Sequence, residues 1–346
     1  MPDRVTAVLK NYRSYPKVEL HRHLEGTLRL TTMREVAGEH GISIPDDVLR
    51  LSNLVQMQEE ESFSARAFLS KFDTLRLFYR SPEIIHRITR EAIEDAARDN
   101  VRYMELRFTP AALSRAERFP LHDVIDWVLA SARQAAHEFG ITVRLLASVN
   151  RHESAELGEQ VAWLAAERQD QGLVGLDLAG NEAEFKAEPF YGIFREARQA
   201  GLRISVHAGE WGPAANVREA IEKLGAERIG HGVRVLDDPA VADLARERGT
   251  VFEVCVTSNY QSGVVRRLED HPLARMLERG LNVTINADDP SVSRITLSHE
   301  YHVVCRELRV PEQALKRMIL ASARAAFLPE PERTTLARDM EKELKL

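Results

Sequence analysis

Short apolar runs rich in β-branched residues recur along the chain, at 18–20, 103–108, 142–149, 173–178, 204–207, 228–230, 251–256 and 283–286. Between them lie amphipathic stretches at 83–99, 122–138, 154–169, 191–199, 216–223, 239–247 and 272–279, each of helical length and period. Such alternation predicts parallel strands joined by right-handed crossover helices. Eight strands fit a closed (β/α)8 TIM barrel better than an open doubly wound sheet. The open sheet stays an alternative on pattern alone, although the dinucleotide fingerprint G-x-G-x-x-G is absent.

Roughly 80 residues separate the first two strands, more than one crossover helix needs. The segment at about 30–95 is therefore expected to be a helical insertion over the barrel mouth, within one domain spanning 1–346. It carries Phe63, Phe68, Leu69, Phe72, Leu75 and Phe78. Ordinary helix packing accounts for most of these, so only a minority need face a ligand.

With 346 residues, 44% of them apolar, the chain has material for a large core. A net charge of −6 with both signs interspersed leaves no basic stripe for a nucleic acid polymer. Residues 1–14 carry scattered charges and no apolar run of signal-peptide length, and nowhere do 18 apolar residues run together, so a cytoplasmic protein without a membrane partner is expected. Cys255 and Cys305 form no C-x-x-C pair. This argues against zinc sites built on His/Cys/Cys with a P-C-x-x-C signature, and leaves histidine and carboxylate to hold any metal.

Four strand ends carry candidate chemistry. In Glu19-Leu-His-Arg-His-Leu-Glu25, His21 and His23 are two apart and face one side of a strand, as a metal clamp or as two solvated strand-end imidazoles. In Val206-His-Ala-Gly-Glu210, His207 is a possible third imidazole ligand and Glu210 an acid or base; a strand cap and a helix start are the plainer alternative. In Ile229-Gly-His-Gly232, glycines on either side of His231 let the backbone pass close to something bulky, and His231 could be a base or an orienting group. In Asn286-Ala-Asp-Asp-Pro290, adjacent carboxylates point opposite ways, so Asp288 can reach a metal while Asp289 reaches a substrate, unless the pair is simply an acidic turn.

Other histidines lack such spacing. His299-Glu-Tyr-His302 is not the H-E-x-x-H of zinc proteases, whose histidines are four apart, and reads as a surface or core helix. His40, His86, His122, His137, His152 and His271 read as ordinary side chains.

Taken together, HRHLEG, HAGE, GHG and NADDP at strands one, five, six and eight resemble the motif set of the adenosine deaminase family, within the amidohydrolase superfamily. Similar segments extend nearly end to end, from 16–26 through 67–73, 103–110, 175–182, 206–211, 228–232 and 284–301 to Ala326-Phe-Leu-Pro329. The resemblance implies one zinc ion per chain on His21, His23, His207 and Asp288, with room left for water. It implies that Glu210 protonates purine N1, that His231 orients the attacking hydroxide, and that Asp289 meets both hydroxide and N7. Gly180 would approach N3 through its backbone, and His23 would also border the substrate.

Elementary chemistry agrees with those roles. Zinc lowers the pKa of bound water to about 7, so a nucleophile is available at neutral pH. Attack at C6 builds negative charge on the ring, which Glu210 relieves if an enclosed site keeps it protonated, and ammonia leaves. Glu25 stands where many relatives carry an aspartate near the 5′-hydroxyl, and Val256 where they usually carry proline, while Thr257-Ser-Asn259 is more similar to nucleoside-acting members. Phe68, Leu69 and Phe72 match the family's apolar lid. The expected substrate is adenosine, with 2′-deoxyadenosine also accepted. Adenine and an aminofutalosine-type nucleoside are alternatives, a different amidohydrolase reaction is a more distant one, and a non-catalytic binding protein on the same barrel the most remote.

Overall fold

The computed structural model describes residues 12–346, so the reading of the 1–14 stretch falls almost wholly outside the described residues. Eight parallel strands follow in sequence order, β1 (Lys17–His23), β2 (Val101–Phe108), β3 (Thr142–Asn150), β4 (Leu173–Ala179), β5 (Arg203–Ala208), β6 (Arg228–His231), β7 (Val251–Val254) and β8 (Asn282–Ile285), each paired with the next. The chain beyond β8 then returns to β1. His23 N–H donates to the Asp288 carbonyl at 2.9 Å, and Asp288 N–H to the His21 carbonyl at 2.8 Å. Two side chains complete this seam: Leu20 N–H donates to Asn286 Oδ1 at 3.0 Å, and Ala287 N–H to Glu19 Oε1 at 3.2 Å. The sheet is thus a (β/α)8 barrel and not an open sheet.

The seventh strand is shorter than the expected 251–256. Val256 opens the helix Val256–Gln261 instead. The buried Glu300 carboxylate accepts the Thr257 N–H at 3.2 Å, satisfying a free donor of the first turn and overriding the strand preference of a β-branched run.

Between β1 and β2 come α1 (Leu30–His40), α2 (Val48–Val55), α3 (Ala65–Leu75) and α4 (Pro82–Arg98). Side-chain caps start three of them: Asp47 accepts the Arg50 N–H, Ser64 the Ala67 N–H and Ser81 the Ile84 N–H, the last with Pro82 at the first helical position. α4 packs against the helix Leu121–Phe139 and against β2. α3 lines the cavity described below.

Strand residues that point outward pack apolar faces onto the helices. Those that point inward are largely charged: Glu105 and Arg107 on β2, Asp177 on β4, Arg228 on β6 and Glu253 on β7, all buried. They neutralise one another. Arg228 Nε lies 2.6 Å from Glu253 Oε1 and its guanidinium also pairs with Glu105. The floor is closed by the segment after the helix Glu312–Ala325, where Phe327 N–H donates to Glu105 at 2.6 Å and its ring lies 3.4 Å beneath Arg228. Among the described residues no helix is long and apolar enough to cross a membrane.

Asn286→Ala removes the buried acceptor of Leu20 N–H at the seam. Urea unfolding is expected to show a loss of about 1–3 kcal/mol. An unchanged midpoint would mean that this side chain does not hold the seam.

Candidate functional site

The C-terminal ends of β1, β5 and β8 bring four donor groups together. His21 and His23 sit on the inward side of β1, His207 on β5, and Asp288 just past β8. Asp288 Oδ1 lies 3.2 Å from His21 Nε2 and 3.4 Å from His23 Nε2, and His23 Nε2 lies 3.2 Å from His207 Nε2. Four ligands held about 2.0–2.1 Å from one tetrahedral ion would be about 3.3 Å apart, so these separations fit a single cation. His21 Nε2 is also buried without a hydrogen-bond partner among the described residues. The residues therefore suit a divalent metal.

Each of two imidazoles has a carboxylate behind it. Glu253 Oε2 lies 2.8 Å from His21 Nδ1, and Asp177 Oδ1 lies 3.1 Å from His207 Nδ1. Arg107 spans both, 2.7 Å from Glu253 and 3.2 Å from Asp177. Burial opposes charge on these carboxylates. Arg107 and Arg228 nevertheless hold Glu253, and His207 and Arg107 hold Asp177, well below the usual carboxylate range. Anionic acceptors behind Nδ1 leave each Nε2 lone pair free to face a metal.

Three further carboxyls behave in the opposite sense. Glu210 is buried, and burial followed by the nearby Asp288 and Glu182 pushes its pKa well up. Asp289 is likewise raised by burial, then by Asp288 and Glu25, and its Oδ1 has no hydrogen-bond partner. Glu25 is raised by burial; its Oε1 accepts the Thr109 N–H at 2.7 Å while Oε2 is buried and unpartnered. Glu182 fixes the loop that carries Glu210, accepting the N–H groups of Gly209, Glu210 and Gly212 at 3.0, 2.6 and 2.9 Å.

His231 closes β6 with its Nε2 3.7 Å from Glu210 Oε2 and 3.8 Å from Asp288 Oδ2. His231 and Asp288 both adopt φ of 60°, a conformation costly for residues with a side chain and concentrated at functional sites. Two glycines make the packing possible. A Cβ on Gly230 would stand 2.9 Å from the His21 ring, so on that side the bulky neighbour of the Gly-His-Gly turn is an imidazole; one on Gly26 would fall 1.8 Å from Asp289 Oδ1.

A cavity of about 1020 Å³ opens above this cluster. It is lined by His23, Glu25, Phe68, Leu69, Phe72, Gly180, His207, Glu210, His231, Asp288 and Asp289. Every site residue expected from the sequence thus meets at one place, His21 being fully buried beside Asp288. The sequence reading singles out none of Asp177, Glu253, Arg107 and Glu182, names Asn259 only within Thr257-Ser-Asn259, and takes His271 for an ordinary side chain. For Asp177 and Glu253 a signal existed: each is the lone charge inside an apolar strand, where burial demands a partner, whereas Arg107 shares β2 with Arg102 and Glu105.

The family model for adenosine deaminase matches residues 16–343. The chain is 36% identical to adenosine deaminase of Klebsiella pneumoniae over 333 residues, covering 95% of this chain and 98% of that one. Among solved structures it is similar to adenine deaminase from Arthrobacter aurescens, with a TM-score of 0.88, 27% identity and coverage of 96% of this chain and 100% of that one. It is also similar to an amidohydrolase from Burkholderia ambifaria with bound Zn, with a TM-score of 0.89, 26% identity and coverage of 97% and 92%. The extent of these matches identifies the chain as a hydrolytic deaminase, and it belongs to the adenosine deaminase family.

Proposed function

We propose that this protein deaminates adenosine, and 2′-deoxyadenosine as a second substrate, to the inosine product and ammonia, using one zinc ion per chain. The reading rests on one observation above all: Asp288 Oδ1 lies 3.2 and 3.4 Å from Nε2 of His21 and His23, and His23 Nε2 3.2 Å from His207 Nε2, beside Glu210, a buried carboxyl of raised pKa. His21, His23, His207 and Asp288 would hold the metal. Bound there, the ion supplies a Lewis acid that makes water nucleophilic at neutral pH.

The remaining residues divide the work. Glu210, protonated, donates to N1 as negative charge builds on the ring. Asp289, also raised, can carry the proton that N7 requires from a hydrogen-bond donor. The Gly180 backbone lies within the same cavity for N3. His231 orients the attacking water between Glu210 and Asp288. Phe68, Leu69 and Phe72 supply an apolar wall that excludes bulk solvent.

Adenine is the competing substrate, because an adenine deaminase is among the structural neighbours. A nucleoside is favoured by Glu25. Its unpartnered Oε2, buried in a cavity of about 1020 Å³, is a ready acceptor for a sugar hydroxyl that adenine lacks.

On purified, metal-quantified protein, adenosine and 2′-deoxyadenosine are expected to be turned over faster than adenine or an aminofutalosine. The reverse order would reject the substrate assignment. Glu210→Gln should lower kcat by about 10²–10⁴-fold, whereas undiminished ammonia release would remove Glu210 from the chemistry. Because its protonated form reacts, wild-type kcat should fall as pH rises through the raised Glu210 pKa. Asp177→Asn weakens the acceptor behind His207, and competition with a chelator should show metal held about 10–100-fold less tightly.

A further inference from the structure

Three of the four imidazoles at the site, those of His21, His207 and His231, differ in what stands behind Nδ1. His21 and His207 face carboxylates, which accept a proton and leave Nε2 bare. Behind His231 Nδ1, among the described residues, stands an amide and no carboxylate. Asn259 Nδ2 lies 3.1 Å from His231 Nδ1, and Asn259 Oδ1 lies 3.2 Å from Nε2 of the buried His271. The chain of contacts ends on a donor whose polarity is set by covalent structure: Leu273 N–H donates to His271 Nδ1 at 3.2 Å.

That one backbone N–H propagates a direction. His271 Nδ1 accepts, so a neutral His271 carries its proton on Nε2; burial, with no charged partner, lowers its pKa to about 3 and keeps it neutral. His271 Nε2–H then donates to Asn259 Oδ1, which turns the Asn259 amide group toward His231. Flipping the amide would set donor against donor at His271. Asn259 Nδ2–H therefore donates to His231 Nδ1, and the ring proton of His231 lies on Nε2, the nitrogen that faces Glu210 and Asp288.

We propose that His271 and Asn259 are positioning residues that relay the polarity of the Leu273 N–H to His231, fixing it as the Nε2–H tautomer. His231 then enters the site as a hydrogen-bond donor, neither a metal ligand nor a general base. It stabilises the oxygen that becomes negative during attack. Among these three imidazoles the group behind Nδ1 thus differs with the role, a carboxylate behind His21 and His207 and an amide donor behind His231. The catalytic use of His231 rests on the deaminase reading above; its tautomer does not.

The test uses the full metal-loaded chain labelled with ¹⁵N in its histidine rings. Long-range ¹H–¹⁵N correlation spectra, assigned with His231→Gln and His271→Gln, should show neutral rings protonated on Nε2 at both positions. Asn259→Asp keeps an acceptor for His271 but offers His231 no donor. It should move the His231 proton to Nδ1, leave the His271 pattern unchanged and lower kcat by about 10²–10³-fold with a much smaller change in KM. His271→Gln retains an N–H toward Asn259 and should preserve both the His231 pattern and most of the turnover, whereas His271→Leu should preserve neither. A wild-type His231 protonated on Nδ1, or an unaltered pattern in Asn259→Asp, would overturn the relay. If Asn259→Asp does not fold, the wild-type spectrum alone decides. An Nε2–H pattern in a protein that deaminates no purine would reject the reaction reading and leave the relay standing.

Discussion

The pairing of Arg107 with Asp177 and Glu253 governs how the centre of this barrel is built. A guanidinium and two carboxylates with no exposure to solvent each cost several kcal/mol to bury, and only mutual pairing offsets that cost. Arg107 lies on β2, Asp177 on β4 and Glu253 on β7, so one cation ties three strands that are not neighbours. Its consequence reaches further than cohesion. Because Arg107, with Arg228 at Glu253 and His207 at Asp177, favours the ionised carboxylates, each can accept from an imidazole Nδ1, and His21 and His207 are thereby aimed with their Nε2 atoms at one point. Without Arg107, each buried carboxylate would lose one of the groups that favour its charged form, and its hold on the ring would weaken.

The same environment sustains opposite protonation states a few ångströms apart. Asp288 faces three imidazoles, and although burial favours its neutral form, His21, His231 and His23 hold it well below the usual range. Asp289, one residue on, has burial and two neighbouring carboxyls acting together, and is raised. The backbone turns between the two carboxyls, Asp288 standing at a left-handed φ of 60°, and one dipeptide thereby supplies both a metal-binding anion and a carboxyl able to donate. Glu210 belongs with Asp289. A site with separate demands for an anion and an acid meets them through burial and the positions of a few cations.

Much of this was legible from residue order. The alternation of strand and helix has the period of the barrel, and HRH, HAGE, GHG and DD fall at the ends of strands that the fold brings together. Periodicity was less informative where a tertiary contact overrides it, as at Val256, whose β-branched run is turned into a helix by Glu300 from a segment 44 residues later in the chain. That glutamate lies inside His299-Glu-Tyr-His302, so the motif that carries no metal spacing still matters: it secures the helix bearing Asn259. His271 was unreadable for another reason. Its role depends on the direction of hydrogen bonds through Asn259, a property of folded geometry with no counterpart in spacing. Asp177 and Glu253 lie between these cases, since a lone charge inside an apolar strand signals a buried partner without naming it.

Closure of the barrel and assembly of the site use the same bonds. Asp288 gives its N–H to the His21 carbonyl and accepts the His23 N–H through its own carbonyl, so the residue that completes the seam is flanked by two imidazoles of the same donor set. Its φ of 60° would be unfavourable in a free chain, and two backbone hydrogen bonds to β1 over-determine it. The side chain is thereby held 3.2 and 3.4 Å from His21 and His23 by the sheet itself. A cation arriving at such a place finds its ligands already gathered and need not supply the ordering entropy. The strain at Asp288 is offset by the cooperative closure of eight strands, which is why a conformation disfavoured locally can persist where the chemistry requires it.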